Sequence, residues 1–282
     1  MEFGIAMIGF GEAGATFAKA ARWGVRARAF DIADNRRPVM AALGVIPCQT
    51  PAEALAGAFL VLSLVTADQA LAAARTYAPL LAPGALLCDM NSVAPGTKRA
   101  AAAAVAEAGA RYVDVAVMAP VDPQRLAVPL LLAGPAAPQA REALAAAGFS
   151  SMRVVGDEVG RASTVKMLRS VMYKGMEALT AECLIACHQA GVTEDVLASF
   201  GGDWAGGADY RLDRMLVHGR RRAAELREVC ATLTELGVDP AMSGATAAWE
   251  QALGELAIEP APTGLAAKLR AIASAMEGNT KA

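Results

Sequence analysis

The sequence predicts an α/β chain: a doubly wound, mostly parallel sheet, then a long helix, then an all-helical C-terminal part. Three observations predict it. Short apolar runs alternate with helical stretches through the first half of the chain, the rhythm of βαβ units. A glycine-rich turn, Gly9-Phe10-Gly11-Glu12-Ala13-Gly14, follows the first apolar run directly. From Gly160 to Gly191 the alternation stops, and Gly175 alone interrupts the run. That gives a helix of roughly 28 residues, about 42 Å long, too long for an ordinary crossover.

In chain order, strands are expected at Phe3–Ile8, Val25–Phe30, Phe59–Ser63, Ala85–Asp89, Tyr112–Val117 and Pro129–Ala133. A seventh, Ser151–Val155, could close the sheet. The intervening helices are expected at Ala13–Arg22, Arg37–Leu43, Ala52–Ala56, Ala67–Tyr77, Ala94–Ala108 and Pro138–Ala147. Abundant alanine favours helix, so runs such as Ala100–Ala104 read as helix filler. A boundary near residue 158 separates a nucleotide-binding domain, 1–158, from a helical substrate and dimerisation domain, 159–282. The second domain opens with the long helix, about 161–190. Helices follow at Thr193–Ser199, Ala208–Leu216, Gly219–Leu236, Ser243–Leu256 and Gly264–Glu277, and the tail Gly278–Ala282 is expected to fray.

Bulk properties exclude several classes. The 282 residues suffice for one or two domains with a substantial core. A net charge of −2 and 5% aromatics carry no footprint for nucleic acid. The N-terminal apolar run is too short and lacks the basic flank of a signal peptide, and no apolar stretch is long enough to span a membrane. Five cysteines do not make a disulfide framework in a chain of this size. Cys183, Cys187 and His188 could suggest a metal. With two histidines and no CxxC pair, they read as partly buried thiols on a helix, and no metal is expected. A reducing cytoplasm is the expected compartment.

The glycine-rich turn points to a dinucleotide. In this pattern Gly9 permits the tight turn, Gly11 lets backbone approach a pyrophosphate, and Gly14 lets helix and strand pack closely. The turn Gly9, Phe10, Gly11, Glu12, Ala13, Gly14 would cradle the anion at a helix N-terminus. Asp31 ends the second apolar run, where a carboxylate accepts ribose hydroxyls and repels a 2′-phosphate. Arg36 and Arg37 would bind that phosphate if the loop turns back. NAD is therefore favoured, with NADP open. Ligands of an open α/β sheet bind beyond the strands' carboxyl ends. There Leu64, Val65 and Thr66 would lie beside the nicotinamide ribose. Asn91 is a candidate cofactor contact. Ser92 is a candidate substrate contact, or simply the N-cap of the helix at Pro95.

On the long helix, Ser170, Tyr173 and Glu177 all fall within about 40° of Lys166. Such a stripe is what a solvated helix face looks like, and also what a catalytic face looks like. Hydride transfer needs a partner for the hydroxyl proton, and a desolvated lysine can serve. Ser170 could hold the substrate oxygen or orient the lysine, and Tyr173 could donate a phenolic proton.

These residues carry a resemblance. The chain resembles the β-hydroxyacid dehydrogenase superfamily, which includes the 3-hydroxyisobutyrate, 6-phosphogluconate and tartronate semialdehyde dehydrogenases. The likeness covers essentially the whole length. It rests on Ile8-Gly9-Phe10-Gly11-Glu12-Ala13-Gly14 and on Gly160 six residues before Lys166. It implies a Rossmann-type domain, an NAD(P)-dependent oxidoreductase, Lys166 as general acid/base, and a homodimer built around the long helix. Ser170 stands where the family usually has asparagine. Tyr173 stands where the 6-phosphogluconate enzymes have glutamate. Asp114-Val115-Ala116-Val117-Met118-Ala119-Pro120 replaces the usual substrate loop, putting Met118 among the substrate contacts.

The segments Lys166–Leu179 and Asp213–Arg222 are similar to a bacterial branch with its own helical C-terminal domain. His218 and Arg220–Arg222 would sit at a helix start, as an anion pocket, a solvated basic turn or an oligomer contact. The substrate would be a hydroxy acid, alcohol or related carbonyl. An imine reductase and a non-catalytic dinucleotide-binding protein are the alternatives.

Overall fold

A computed structural model describes residues 4–279. Phe3, at the head of the expected first strand, and the last residues of the expected tail, 280–282, lie outside the described residues. The chain divides into two compact units, Met1–Lys166 and Met167–Ala282, and the division falls within the long helix.

The first unit is built on one continuous eight-stranded sheet.

 The strands are β1 (Ile5–Ile8), β2 (Ala27–Phe30), β3 (Ile46–Pro47), β4 (Leu60–Ser63), β5 (Leu86–Asp89), β6 (Arg111–Val117), β7 (Leu130–Ala133) and β8 (Met152–Gly156). They lie in the order β3-β2-β1-β4-β5-β6-β7-β8, and all neighbours pair in parallel except β6 and β7. β3 is the strand that apolar periodicity does not reveal: it has two residues, one of them proline, and sits at the sheet edge where a missing N–H is tolerated.

Helices α1 (Glu12–Ala21), α2 (Arg37–Ala42), α3 (Pro51–Leu55), α4 (Ala70–Tyr77), α5 (Pro95–Glu107) and α6 (Ala137–Ala146) link the strands. β1, β4, β5 and β7 are buried along their whole length, as parallel strands covered on both faces must be. Side chains alternate between two cores. Met7, Leu62 and Cys88 face Phe17, Leu144 and Phe149. Ala6, Val61 and Leu87 face Ala74, Ala101 and Val105. The chain leaves β1 towards β2 on one side and towards β4 on the other, so the crevice of the doubly wound sheet opens beyond Ile8.

Helix α7 (Arg161–Ala190) runs 30 residues. After it come α8 (Thr193–Phe200), α9 (Trp204–Glu235), α10 (Ala241–Glu255) and α11 (Leu265–Asn279). α9 is a single helix of 32 residues, where the sequence predicts two with a break before Gly219. Glycine inside a helix costs about 1 kcal/mol against alanine, but here it removes a clash. A Cβ at Gly219 would run into the Glu250 carbonyl, and one at Gly254 would lie 2.6 Å from the Arg220 nitrogen. The two glycines let α9 and α10 cross backbone to backbone. His218 and Arg220–Arg222 therefore stand within α9 and not at a helix start. Among the described residues, no helix is long and apolar enough to cross a membrane.

Candidate functional site

The turn between β1 and α1 is the first element of the site. Gly9 has φ +88°, and a Cβ there would lie 2.5 Å from the Leu64 carbonyl oxygen. Its left-handed backbone and the neighbouring strand both require glycine. Gly14 packs against the Gly9 carbonyl, with 3.2 Å to a hypothetical Cβ. Gly11 differs: it is the N-cap of α1, makes no side-chain cap bond, and a Cβ there would meet nothing within 4 Å. Its missing side chain thus serves no contact within the chain. It keeps clear the space above the helix N-terminus, where backbone N–H groups and the helix dipole favour an anion. Phe10 is buried and locks the turn to the core, Glu12 is exposed in the first turn of α1, and Ala13 packs against the core.

Asp31, just after β2, holds this turn from the side. Its Oδ2 accepts the Phe10 N–H at 2.6 Å, and its Oδ1 accepts the Ala33 N–H at 2.8 Å. The loop after β2 does turn back. Arg36 Nε donates to the Phe10 carbonyl at 2.7 Å, laying the guanidinium against the glycine-rich turn. Arg37 instead pairs with Asp34 at 2.9 Å. A carboxylate and a guanidinium thus flank the same turn.

Leu64 continues β4, its N–H donating to the Ile8 carbonyl at 2.8 Å, and both Leu64 and Val65 are half-buried. Thr66 is exposed. Its side chain bonds Asp68, which holds that carboxyl below the usual range. Asn91, just past β5, is buried. Its Nδ2 donates to Ser63 Oγ at 2.9 Å, and its Oδ1 is buried with no hydrogen-bond partner. That orphaned acceptor lies at the carboxyl end of the sheet and suits a donor on a bound molecule. Ser92 is not the N-cap of α5. Ala94 is, with no side-chain cap bond, because Pro95 occupies the first helical position.

Beneath these residues lies a group that the sequence reading missed. Asp89 and Asp114 are register partners on the adjacent strands β5 and β6. Between them sits Lys98 of α5, fully buried, with Nζ 3.0 Å from Asp89 Oδ1 and 3.6 Å from Asp114 Oδ1. Lys98 also donates to the Asp89 carbonyl at 2.7 Å. Tyr112 completes the set, donating to Asp89 Oδ2 at 2.5 Å, and burial with the adjacent Asp89 charge holds its phenol well above its usual range. Two carboxylates side by side in apolar strands require a cation. That requirement was the available signal.

Lys166 and Ser170 are half-buried on α7, and Tyr173 is 60% exposed with the Arg169 guanidinium 4.2 Å over its ring. Lys166 ends the first unit, while Ser170 and Tyr173 belong to the second. Met118 follows β6 and packs with Ala116, Leu131 and Ala162. His218 is half-buried on α9.

The rest of the expected polar stripe separates from a catalytic face. Glu177 is buried against Arg222, which also holds Glu250 at 3.0 Å. Burial pushes Glu250 above the usual carboxylate range. Lys174 pairs with Glu225 at 2.8 Å, and burial holds its ammonium below the usual lysine range. Arg222 is thus a buried ion-pair centre of the helical unit, while Arg220 and Arg221 face solvent. The Cys183 and Cys187 thiols lie 3.9 Å apart on α7. Among the described residues, no three His, Cys, Asp or Glu side chains are grouped to hold a metal ion.

The NAD binding domain of 6-phosphogluconate dehydrogenase matches residues 4–149, more than half of the 282. A conserved hypothetical protein from Sinorhizobium meliloti 1021 is 37% identical, with 98% of this chain and 97% of that one covered and a TM-score of 0.77. The conserved protein MTH1747, described as structurally similar to 3-hydroxyacid dehydrogenases, is 30% identical over 89% of this chain and 96% of its own, with a TM-score of 0.72. This chain belongs to the β-hydroxyacid dehydrogenase superfamily.

As in other members of the β-hydroxyacid dehydrogenase superfamily, the first unit is a nicotinamide-dinucleotide-binding domain. A domain of unknown function, DUF1932, matches residues 187–253, which hold His218, Arg222 and Glu250. The 3-hydroxyisobutyrate dehydrogenase of Mycobacterium tuberculosis, solved with L-serine, shares the fold at 17% identity, a TM-score of 0.74, and 96% and 99% coverage.

Proposed function

We propose that this member of the superfamily transfers a hydride between a nicotinamide cofactor and a hydroxy acid, alcohol or related carbonyl, with Lys166 as general acid/base. The observation that carries the reading is the Gly9–Gly14 turn, held open at Gly11 and braced by both Asp31 and Arg36. Gly9, Phe10, Gly11, Glu12, Ala13 and Gly14 would hold the pyrophosphate through backbone N–H groups. Asp31 would take the adenosine ribose, which favours NAD over NADP. Leu64, Val65, Thr66 and Asn91 would border the nicotinamide half. When bound, the nicotinamide ring supplies the hydride acceptor or donor.

The chain's own part is proton handling and orientation. Lys166 Nζ would take the hydroxyl proton during oxidation and return it during reduction, a role worth about 10²–10⁴ in rate. Ser170 would hold the substrate oxygen, and Tyr173 would offer a second proton donor. Ser92, Met118 and His218 complete the proposed substrate contacts, His218 as an anion partner.

Leu168, Met172, Met176 and Leu179 leave an apolar stripe exposed along α7 in the single chain. Large exposed apolar stripes mark association surfaces, so we assign the protein a homodimer through this helix. Its five free thiols suit a reducing cytoplasm.

Titration with NADH and with NADPH, followed by cofactor fluorescence, tests the first half of the proposal; failure of both to bind would overturn it. Turnover of 3-hydroxyisobutyrate, L-serine, simple alcohols and 2-methyl-1-pyrroline tests the second half. Turnover of the cyclic imine alone would make the protein an imine reductase. Full turnover by Lys166→Ala on the best substrate would remove Lys166 from the mechanism.

A further inference from the structure

The start of α7 is not capped by its own sequence. Gly160 precedes the helix with φ +102°, in a space bounded by Pro95 and Arg99. Its carbonyl accepts the Thr164 N–H at 2.8 Å, the first bond of the helix. The N–H groups of Gly160 and Ser163, two of the donors that a helix start leaves unpaired, both reach Asp114 Oδ2, at 3.1 and 3.0 Å. Ser163 Oγ lies 3.2 Å from the same oxygen and 2.9 Å from the Gly160 carbonyl, so its one proton is shared between them. A carboxylate on β6 therefore caps a helix that begins just after Gly160, 46 residues further along the chain. Lys166 stands three residues after Ser163, on the same first turns.

The other end of the group reaches the sheet crevice. Asp89 Oδ1 accepts the Asn91 N–H at 2.9 Å and the Lys98 ammonium at 3.0 Å. Lys98 joins the two carboxylates. Asp89, Lys98 and Asp114 are all buried, and a charge group buried so completely needs every member paired.

We propose that the Asp89–Lys98–Asp114 bridge is a strut that holds Asn91 and the first turn of α7 at a fixed spacing, making Asp114 and Lys98 positioning residues for proton transfer by Lys166. The inference rests on the assignment of Lys166 as acid/base. Asp89 and Asp114 anchor the two backbone segments, and Lys98 sets the distance between them. A misplacement of the reacting groups by about 1 Å can cost 10²-fold in rate, so a rigid link between cofactor contact and proton donor has a kinetic purpose.

The test is a double-mutant cycle with NADH binding measured alongside, on the best-turned-over substrate among 3-hydroxyisobutyrate, L-serine and 2-methyl-1-pyrroline. Asp114→Asn keeps the side-chain size and one acceptor oxygen, and Lys98 keeps Asp89. It is expected to lower kcat by about 10²-fold while the NADH Kd stays within about twofold. In a Lys166→Ala background the same change should cost nothing more. Ser163→Ala, which removes the hydroxyl shared between Asp114 and the Gly160 carbonyl but keeps the backbone N–H bond to Asp114, should lower kcat in the same direction by less, and it covers the case in which Asp114→Asn fails to fold.

Equal losses with and without Lys166 would overturn the strut and leave the acid/base assignment standing. So would variants of Asp114 and Ser163 that lose stability but keep the kcat of the parent per folded molecule. Full turnover by Lys166→Ala alone, or turnover of none of the three substrates by the parent, would overturn the acid/base assignment and the strut with it.

Discussion

The Phe10 N–H donates to Asp31 Oδ2 at 2.6 Å, joining the glycine-rich turn to the end of β2 across 21 residues. One carboxylate therefore shapes the proposed pyrophosphate cradle and stands where the adenosine ribose would lie. NADH is expected to bind more tightly than NADPH. Asp31→Ser should narrow the ratio of the two dissociation constants by about tenfold, because the repulsion of a 2′-phosphate is lost. A ratio unchanged in fluorescence titrations of the variant would show that Asp31 does not choose the cofactor.

Gly9 and Gly11 separate stability from binding. Gly9→Ala forces a side chain into positive φ against the Leu64 carbonyl, and such strain costs about 1–3 kcal/mol. It should lower the melting temperature and weaken NADH binding together. Gly11→Ala meets nothing within the chain and should melt close to the parent, while its NADH affinity falls by about tenfold or more. Undiminished NADH affinity in Gly11→Ala would mean that the anion does not sit above α1.

The helical unit should show a pH dependence of stability set by Glu250. Burial, the largest influence, raises its carboxyl above the ordinary value of 4.5, while Arg222 and Lys174 oppose the shift and Glu225 adds to it. The folded chain then holds a proton that the unfolded chain has released. This contribution is fully present below pH 4.5 and is lost as pH rises through the folded value. Glu250→Gln carries no such proton. Relative to it, the parent should lose stability from pH 4.5 upwards in denaturant titrations; a constant difference across that range would refute the assignment.

Met172 is 64% exposed at the centre of the apolar stripe on α7. Met172→Glu would bury a charge in any interface built there, so light scattering should find a dimer for the parent and a monomer for the variant. A variant that remains dimeric would put the interface elsewhere.

Much of the fold is legible in residue order. β4 and β5 read directly as continuous apolar runs ending in Ser63 and Asp89. α7 reads as one helix because glycine bounds it at both ends and Gly175 alone interrupts it. Gly219 misleads for the opposite reason. Its local propensity signals a break, but its role is contact with Glu250 and Gly254 of α10, more than 30 residues away. Arg222 and Glu177 mislead likewise: on single helices they look like surface charge, and only the packing of α7, α9 and α10 turns them inward as partners.

The sequence by itself determined the strand that leads into the glycine-rich turn, the acid at the end of β2, and the lysine on a long helix. Each is a local pattern, a period or a short spacing that needs no distant residue to be recognised. Only the tertiary structure decided that Arg36 folds back onto Phe10, that Asn91 keeps an unpaired buried oxygen, and that Lys98 bridges Asp89 and Asp114 beneath them. Buried polar groups must be satisfied by whatever the fold brings near, and the partner of a buried charge is chosen by strand register and helix packing, which no local spacing encodes.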